Sequence, residues 1–340
     1  MPFRDIIGHR RLVALLSRSI ARETLPPSLI LSGPAGVGKR LAALSIAQAL
    51  NCRTPVRSND GDGPDQCDAC GTCPACTRIA RGVHPDVVFL EPNDKGNIKI
   101  DSVRDVIDRS GYRPFEGRRR VTIVDQADAL ERSAQNAFLK VLEEPPPGSV
   151  FLLVTASPDL LLQTVRSRCP QLRFQPLAES EVAAYLMARG TSEAEARSVA
   201  AEADGSIGRA MDASADDMVE ARDVALRVLA QAASSDDARR RIECAKDLVV
   251  KGAGAASTER DQLATYLRAM STLLRDIGAM ATTADRSLLA NPDLAPALER
   301  LNAYTGDRGR QAFMAVDKAL AALDRYTNAK LVADWLVLQL

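Results

Sequence analysis

The sequence predicts an α/β domain built on a parallel sheet, followed by an all-helical region, and three observations predict it. Short apolar runs alternate with helix-period segments through the first half. A glycine-rich loop, Gly33-Pro-Ala-Gly36-Val-Gly38-Lys39, lies between one such run and one such segment. After Pro176 the convincing strand runs stop. Strands separated by helices imply right-handed crossovers and a parallel sheet covered on both faces.

Taken in order, residues 28–32 (SLILS) read as a buried strand that leads into the glycine loop. Residues 40–50 read as a helix with Leu41, Leu44, Ile46 and Ala47 on its apolar side. A second strand follows at 87–90, a short helix at 102–109 and a third strand at 119–125 that ends in acid. A helix at 133–142 is stopped by Pro145, Pro146 and Pro147. Runs at 150–155 and 171–174 complete five strands. Short helices are then expected near 179–189, 192–203 and 207–211. From about residue 216 the chain is Ala-, Leu- and Arg-rich. Phe313, Val316, Leu320 and Leu323 repeat at helical spacing, as do Leu331, Trp335 and Leu338. Five or six helices follow, with breaks near 252–257, 291–292 and 305–309. The stretch 53–66 reads as a polar loop.

Composition narrows the function classes. The 340 residues hold 44 Lys plus Arg against 44 Asp plus Glu. A neutral chain is a poor stand-alone nucleic-acid binder, because that affinity needs excess cations at phosphates. There is no apolar signal core and no run of about 20 apolar residues, so a soluble cytoplasmic protein is expected. Aromatics make up only 4%, so the cores must be built from Leu, Val, Ile and Ala. Five of the seven cysteines (52, 67, 70, 73 and 76) fall in one short stretch. In a cytosolic chain that clustering favours a metal over disulfides.

The loop 33–39 has the strand-to-helix context of a phosphate-binding loop, with glycines that turn backbone N–H groups toward phosphate and Lys39 placed for the outer phosphates. The next position normally supplies a Ser or Thr hydroxyl to magnesium, and here it is Arg40. The third strand supplies Asp125 for a magnesium shell, but Gln126 follows it and cannot act as a base. Both departures point to a site that holds ATP or ADP without hydrolysing it.

Together these residues resemble the AAA+ clamp-loader subunits of bacterial DNA polymerase III, and within that family the delta-prime type. The likeness rests on GPAGVGKR at 33–40, the cysteine cluster followed by His84-Pro85-Asp86, VTIVDQADAL at 121–130, SAQNAFLKVLEEPPPGSVFLLVT at 133–155 and TVRSRC at 164–169. It implies a RecA-like domain at 1–176 with a zinc module at about 52–76, a helical lid at 177–213 and a helical collar at 214–340 that oligomerises. It implies partners as well: gamma or tau and delta subunits in a five-membered ring that places a sliding clamp on primed DNA.

The resemblance also assigns individual residues. Arg168, in Ser167-Arg168-Cys169, would be an arginine finger reaching a neighbour's ATP. Thr155 stands near the place of a γ-phosphate sensor. Arg209 is one position later than the second sensor arginine, where Gly208 stands. The zinc ligands would be Cys52, Cys70, Cys73 and Cys76, with Cys67 the alternative to one of them. Spacing alone also admits an iron–sulfur cluster. Cys169, Cys244 and His84 read as structural. Arg118-Arg119-Arg120 reads as a solvated turn or a phosphate contact, and Arg239-Arg240-Arg241 as a solvated helix face.

Overall fold

Five apolar runs pair, in the computed structural model of the protein, into one parallel sheet. The structure describes residues 1–58, 66–93, 96–212, 215–234, 237–249, 256–282, 289–324 and 328–340. The sheet strands are β1 (Ser28–Ser32), β4 (Val87–Leu90), β5 (Arg120–Val124), β6 (Ser149–Thr155) and β7 (Gln171–Arg173), in the order β4-β5-β6-β1-β7. Every pairing is parallel. Strands β1 and β6 are buried along their whole length, as the unbroken apolar runs SLILS and SVFLLVT require.

Chain order reverses at β1, whose neighbours come from the end of the domain. In such sheets the crevice beyond the carboxyl ends of the strands at the reversal is where ligands bind. Helices α1 (Arg10–Ala21) and α2 (Lys39–Asn51) cover one face, with Leu16, Ile20, Ala43 and Ile46 packed on Leu29, Leu31, Ile123 and Leu152. On the other face α4 (Ile100–Ser110) and α5 (Arg132–Glu143) bring Val103, Val106 and Phe138 to Ile30, Phe151 and Leu153.

Two departures from the sequence reading are local. Helix α1 escapes the strand–helix alternation that begins at residue 28. It starts from His9 in the left-handed region with no side-chain cap, so the usual start signal is missing. The stretch read as a polar loop at 53–66 contains β2 (Val56–Ser58), which pairs antiparallel with β3 (Gln66–Asp68). Residues 59–65 lie outside the described ones, and so do 252–255 of the expected break at 252–257. Helix α3 (Pro74–Ala80) follows the hairpin.

His84-Pro85-Asp86 forms the turn before β4, and from there Asp86 holds the loop that leads into β5. Asp86 is fully buried and accepts the amides of Phe115, Glu116 and Gly117 at 2.6, 2.9 and 2.8 Å and Arg120 Nη2 at 3.1 Å. Asn51 Oδ1 accepts the amides of Arg118 and Arg119, each at 2.9 Å. Arg120 therefore faces inward, whereas Arg118 is exposed and Arg119 half-buried. His84 is buried, and its Nδ1 accepts the Asp86 amide.

Burial is the largest influence on the Asp86 carboxyl and pushes it up. The three amides and Arg120 outweigh it and hold the group below the ordinary range. Its stabilising contribution is therefore present above about pH 4 and is lost as pH falls through the folded-state value. Asp86→Ala leaves three amides without their acceptor and Arg120 without its carboxylate, and is expected to cost about 3–5 kcal/mol. Urea unfolding at neutral pH measures this, and a loss below about 1 kcal/mol contradicts the role assigned to Asp86.

The chain divides into two compact units: Met1–Tyr185 with Gly205–Gly208, and Leu186–Asp204 with Arg209–Leu340. The three short helices expected after the sheet are α7 (Glu179–Ala188), α8 (Glu193–Glu202) and α9 (Ile207–Asp212). In the second unit, α10 (Ala215–Ser234), α11 (Ala238–Leu248), α12 (Ala256–Ala281), α14 (Asp307–Asp324) and α15 (Ala329–Gln339) enclose one core, which includes Leu229, Leu267, Met270, Val316 and Leu336. The short α13 (Ala295–Leu298) packs at its edge. Tyr304 is buried there and donates its hydroxyl to Leu229 O at 3.1 Å. Helix α15 is apolar on two faces. Val332, Ala333, Leu336 and Val337 point inward, whereas Leu331, Trp335 and Leu338 are 66%, 40% and 40% exposed.

Candidate functional site

The phosphate loop leaves β1 and turns through Gly33, Gly36 and Gly38, whose φ angles are 144°, 74° and 100°. A Cβ at Gly33 would lie 2.2 Å from Phe174 O, so this turn admits only glycine. Lys39 is buried, and its Nζ donates to Gly33 O at 2.6 Å and Pro34 O at 2.5 Å. The ammonium thus bonds carbonyls of its own loop. His9 Nε2 donates to Val37 O at 3.0 Å, with its ring edge-on to Phe174. Burial lowers the His9 pKa, which favours the neutral ring. In the same unit the Gly208 amide donates to Gly36 O at 3.0 Å, and a Cβ at Gly208 would meet Gly36 Cα at 2.9 Å. The missing side chain at 208 is what allows the two backbones to touch. Arg209 pairs with Asp204 at 3.2 Å.

Arg40 stands where a magnesium ligand is expected. Its guanidinium spans two acids at the ends of adjacent strands, Asp125 at 2.8 Å and Glu91 at 2.6 Å, and lies over the Phe89 ring. One oxygen of Asp125 is taken by Arg40 and the other by the Gln126 amide at 3.0 Å. A divalent cation would have to displace a fixed positive charge to reach this carboxylate. Thr155, buried at the end of β6, donates its hydroxyl to Asp128 Oδ1 at 2.5 Å and accepts the Ser157 amide at 3.0 Å.

Arg168 follows the short helix α6 (Gln163–Arg166). Its neighbours Val165 and Cys169 are buried, and burial pushes the Cys169 thiol up to about 11. Arg168 Nε donates to Glu143 Oε1 at 2.6 Å, Nη2 donates to the same oxygen, and Nη1 donates to Thr164 O at 2.8 Å.

The cysteine module sits beyond α2. Cys52 ends that helix, Cys70 and Cys73 lie in the turn after β3, and Cys76 is on α3. The four sulfurs lie within 4.8 Å of one another, with Cys52–Cys73 at 3.9 Å and Cys70–Cys76 at 4.0 Å. A tetrahedron with Zn–S bonds of 2.3 Å has edges of about 3.8 Å, so the quartet fits zinc. Backbone amides of Cys70 and Cys73 donate to the sulfurs of Cys52 and Cys70 at 3.3 and 3.2 Å, a set of bonds that favours thiolate. The Thr54 hydroxyl, with the amides of Cys73 and Thr72, holds the Cys70 thiol down to about 5, whereas burial pushes Cys52 and Cys76 up. Cys67 lies apart on β3, buried in the same core as Leu16 and Ile20 of α1, its amide and carbonyl both bonded to Ser17 Oγ. It is not among the four clustered sulfurs.

A family model described as "DNA polymerase III, delta subunit" matches residues 8–178, just over half of the chain. The chain belongs to this family. The match spans the phosphate loop, all four clustered cysteines, Asp125, Thr155 and Arg168, and it bears out the AAA+ clamp-loader resemblance read from the motifs. A DNA polymerase III subunit delta′ from Pseudomonas aeruginosa is 38% identical over 159 residues, 46% of this chain and 46% of that protein. A DNA polymerase III subunit gamma from Buchnera aphidicola is 32% identical over 184 residues, 54% of this chain and 48% of that protein. The chain spans about half the length of these two relatives. A solved DNA polymerase III gamma subunit-related protein from Thermotoga maritima aligns over 95% of this chain and 96% of its own, at 16% identity and a TM-score of 0.44.

The sequence assigns no contact to five residues that the fold brings to the site: His9, Glu91, Asp128, Glu143 and Gly208. Asp128 and Glu143 lie inside the quoted runs 121–130 and 133–155, and Gly208 stands at the second-sensor position, but no motif gives their contacts. Glu91 alone had a signal, as an acid directly after a strand, the position Asp125 holds on the adjacent strand. The other four act through contacts that only the fold creates.

Proposed function

We propose that this chain is a delta-prime-type subunit of a DNA polymerase III clamp loader, helping to load the sliding clamp on primed DNA. Its own site is hydrolysis-deficient, and it lends Arg168 to a neighbour's ATP. The observation that carries the reading is the Arg40 guanidinium seated on Asp125. The charge a magnesium ion would supply is already there, in a form that cannot coordinate water or phosphate oxygens as a metal ion does. Gly33, Gly36, Gly38 and Lys39 then hold ATP or ADP without turnover, beside Asp125 and Thr155. An active gamma- or tau-type motor is the competing reading. The intact glycines and Lys39 suit it, but Arg40 and Gln126 do not.

The remaining assignments follow from that role. Gamma or tau and delta subunits are the partners in a five-membered ring, with the clamp and primer-template DNA reached through the complex in the cytoplasm. Residues 177–213 serve as the lid and 214–340 as the collar. The outward stripe of Leu331, Trp335 and Leu338 suits a collar that packs on neighbours. Zn2+ is held by Cys52, Cys70, Cys73 and Cys76. Four protein ligands leave no open position, so the ion is structural.

The test reassembles the ring with gamma or tau and delta, using this chain or its Arg168→Ala variant, and compares clamp-stimulated ATP turnover. The reading expects the variant ring to assemble and to lose the turnover of the neighbouring site. A variant ring that assembles with turnover unchanged contradicts it.

A further inference from the structure

Glu143 sits in an unfavourable place for an acid. It is the last residue of α5, where the helix dipole presents its negative end, and Glu144 and three prolines follow. What it gains there is Arg168, 25 residues away in sequence. The pairing is set by the scaffold beneath it. Buried Gln135 of α5 donates to Leu130 O and Leu160 O and accepts the Leu162 amide at 2.7 Å, which ties the segment before α6 to α5. Val165 and Cys169 anchor the residues on either side of Arg168.

The guanidinium has five N–H donors. Nε and Nη2 each give one to Glu143 Oε1, and Nη1 gives one to Thr164 O. The other two, one on each Nη nitrogen, carry at most a long contact of 3.4 Å to Ser167 Oγ. The side chain is thus held along its stem while one donor on each terminal nitrogen stays available. That pair of donors suits phosphate oxygens.

We infer that Glu143 is a positioning residue for Arg168, bracing the guanidinium before it meets phosphate. The inference rests on the trans-finger reading of Arg168. A long arginine that must reach another chain loses rotamer freedom on arrival, and a brace already in place removes part of that loss and fixes the aim. The acceptor oxygen supplies the brace, so an amide in place of the carboxylate preserves most of it.

The test uses rings assembled so that the neighbouring subunit is the sole motor with an intact phosphate-loop lysine. Glu143→Ala is expected to lower kcat about tenfold with KM for ATP unchanged and the thermal midpoint of the chain retained. Glu143→Gln should restore most of the loss, and neither change should matter in an Arg168→Ala background. If Arg168→Ala abolishes stimulation while Glu143→Ala leaves kcat at or above the wild-type value, the brace is wrong and the finger stands. If Glu143→Ala lowers kcat equally in the Arg168→Ala background, its effect does not pass through Arg168 and the inference fails. If Arg168→Ala changes nothing, both readings fall.

Discussion

Arg168→Ala is expected to slow the neighbouring subunit's ATP turnover by about 10³-fold or more while leaving the ring assembled. A guanidinium brought to the γ-phosphate stabilises charge that develops on its oxygens in the transition state, in a site from which water is excluded. Losing it removes an interaction made most strongly there, so kcat falls further than affinity. The fold limits collateral damage. Arg168 is a third exposed, and its bonds run to Glu143, the Thr164 carbonyl and Ser167 rather than into a core. An exposed ion pair of this kind contributes about 0–1 kcal/mol to stability, so the variant should fold. Arg168→Lys keeps the charge without the planar fork and should recover only a minor part of the rate. A ring with one competent motor site gives the clearest reading, because intact fingers elsewhere would mask the loss.

Removing the zinc proposed for the four clustered cysteines is expected to have the largest effect on structure. Structural zinc sites contribute about 10–16 kcal/mol of apparent binding free energy at neutral pH. Without the ion four sulfurs remain crowded within 4.8 Å of one another. The purified chain should carry one zinc per chain by elemental analysis. Cys76→Ser should lose it, and Cys67→Ser should keep it. Retention of zinc by Cys76→Ser, or its loss in Cys67→Ser, contradicts the ligand set. The consequence should spread beyond the module. Asn51, beside Cys52, holds the Arg118 and Arg119 amides, and Arg78, on the Cys76 helix, pairs with Glu116 at 2.6 Å. Chelation should therefore raise amide exchange across 113–120 as well as across 66–80.

Much of this architecture is legible in the sequence because it is written in short-range patterns. The runs SLILS and SVFLLVT can only be buried strands, and the glycines of the loop mark a turn that no other residue fits. The cysteine spacing places three sulfurs near one another before any fold is known. What escapes is long-range. The Asp86 carboxylate serves amides about 30 residues on, and Glu143 meets Arg168 only because Gln135 docks one helix onto the next segment. Helix α1 lacks a side-chain cap, and strands β2 and β3, three residues each, are too short to show alternation. Cys67 extends the x2 cysteine series, yet its sulfur is drawn into the core under α1. The stripe of Leu331, Trp335 and Leu338 is periodic enough to suggest a buried face. It lies outward because the adjacent stripe of Val332, Leu336 and Val337 is equally apolar and wins the core.

The departures at Arg40 and Gln126 were visible as substitutions, but their meaning depends on geometry. Arg40 could have pointed into solvent. It spans Asp125 and Glu91 instead, so the acid expected to hold magnesium is neutralised from within the chain. The proposed role requires that the chain not turn over ATP in its own site. The most direct measurement is magnesium-dependent ATP hydrolysis by the purified chain alone. The account predicts no rate above background and no change with Lys39→Ala. A magnesium-dependent rate well above background that Lys39→Ala abolishes would contradict it.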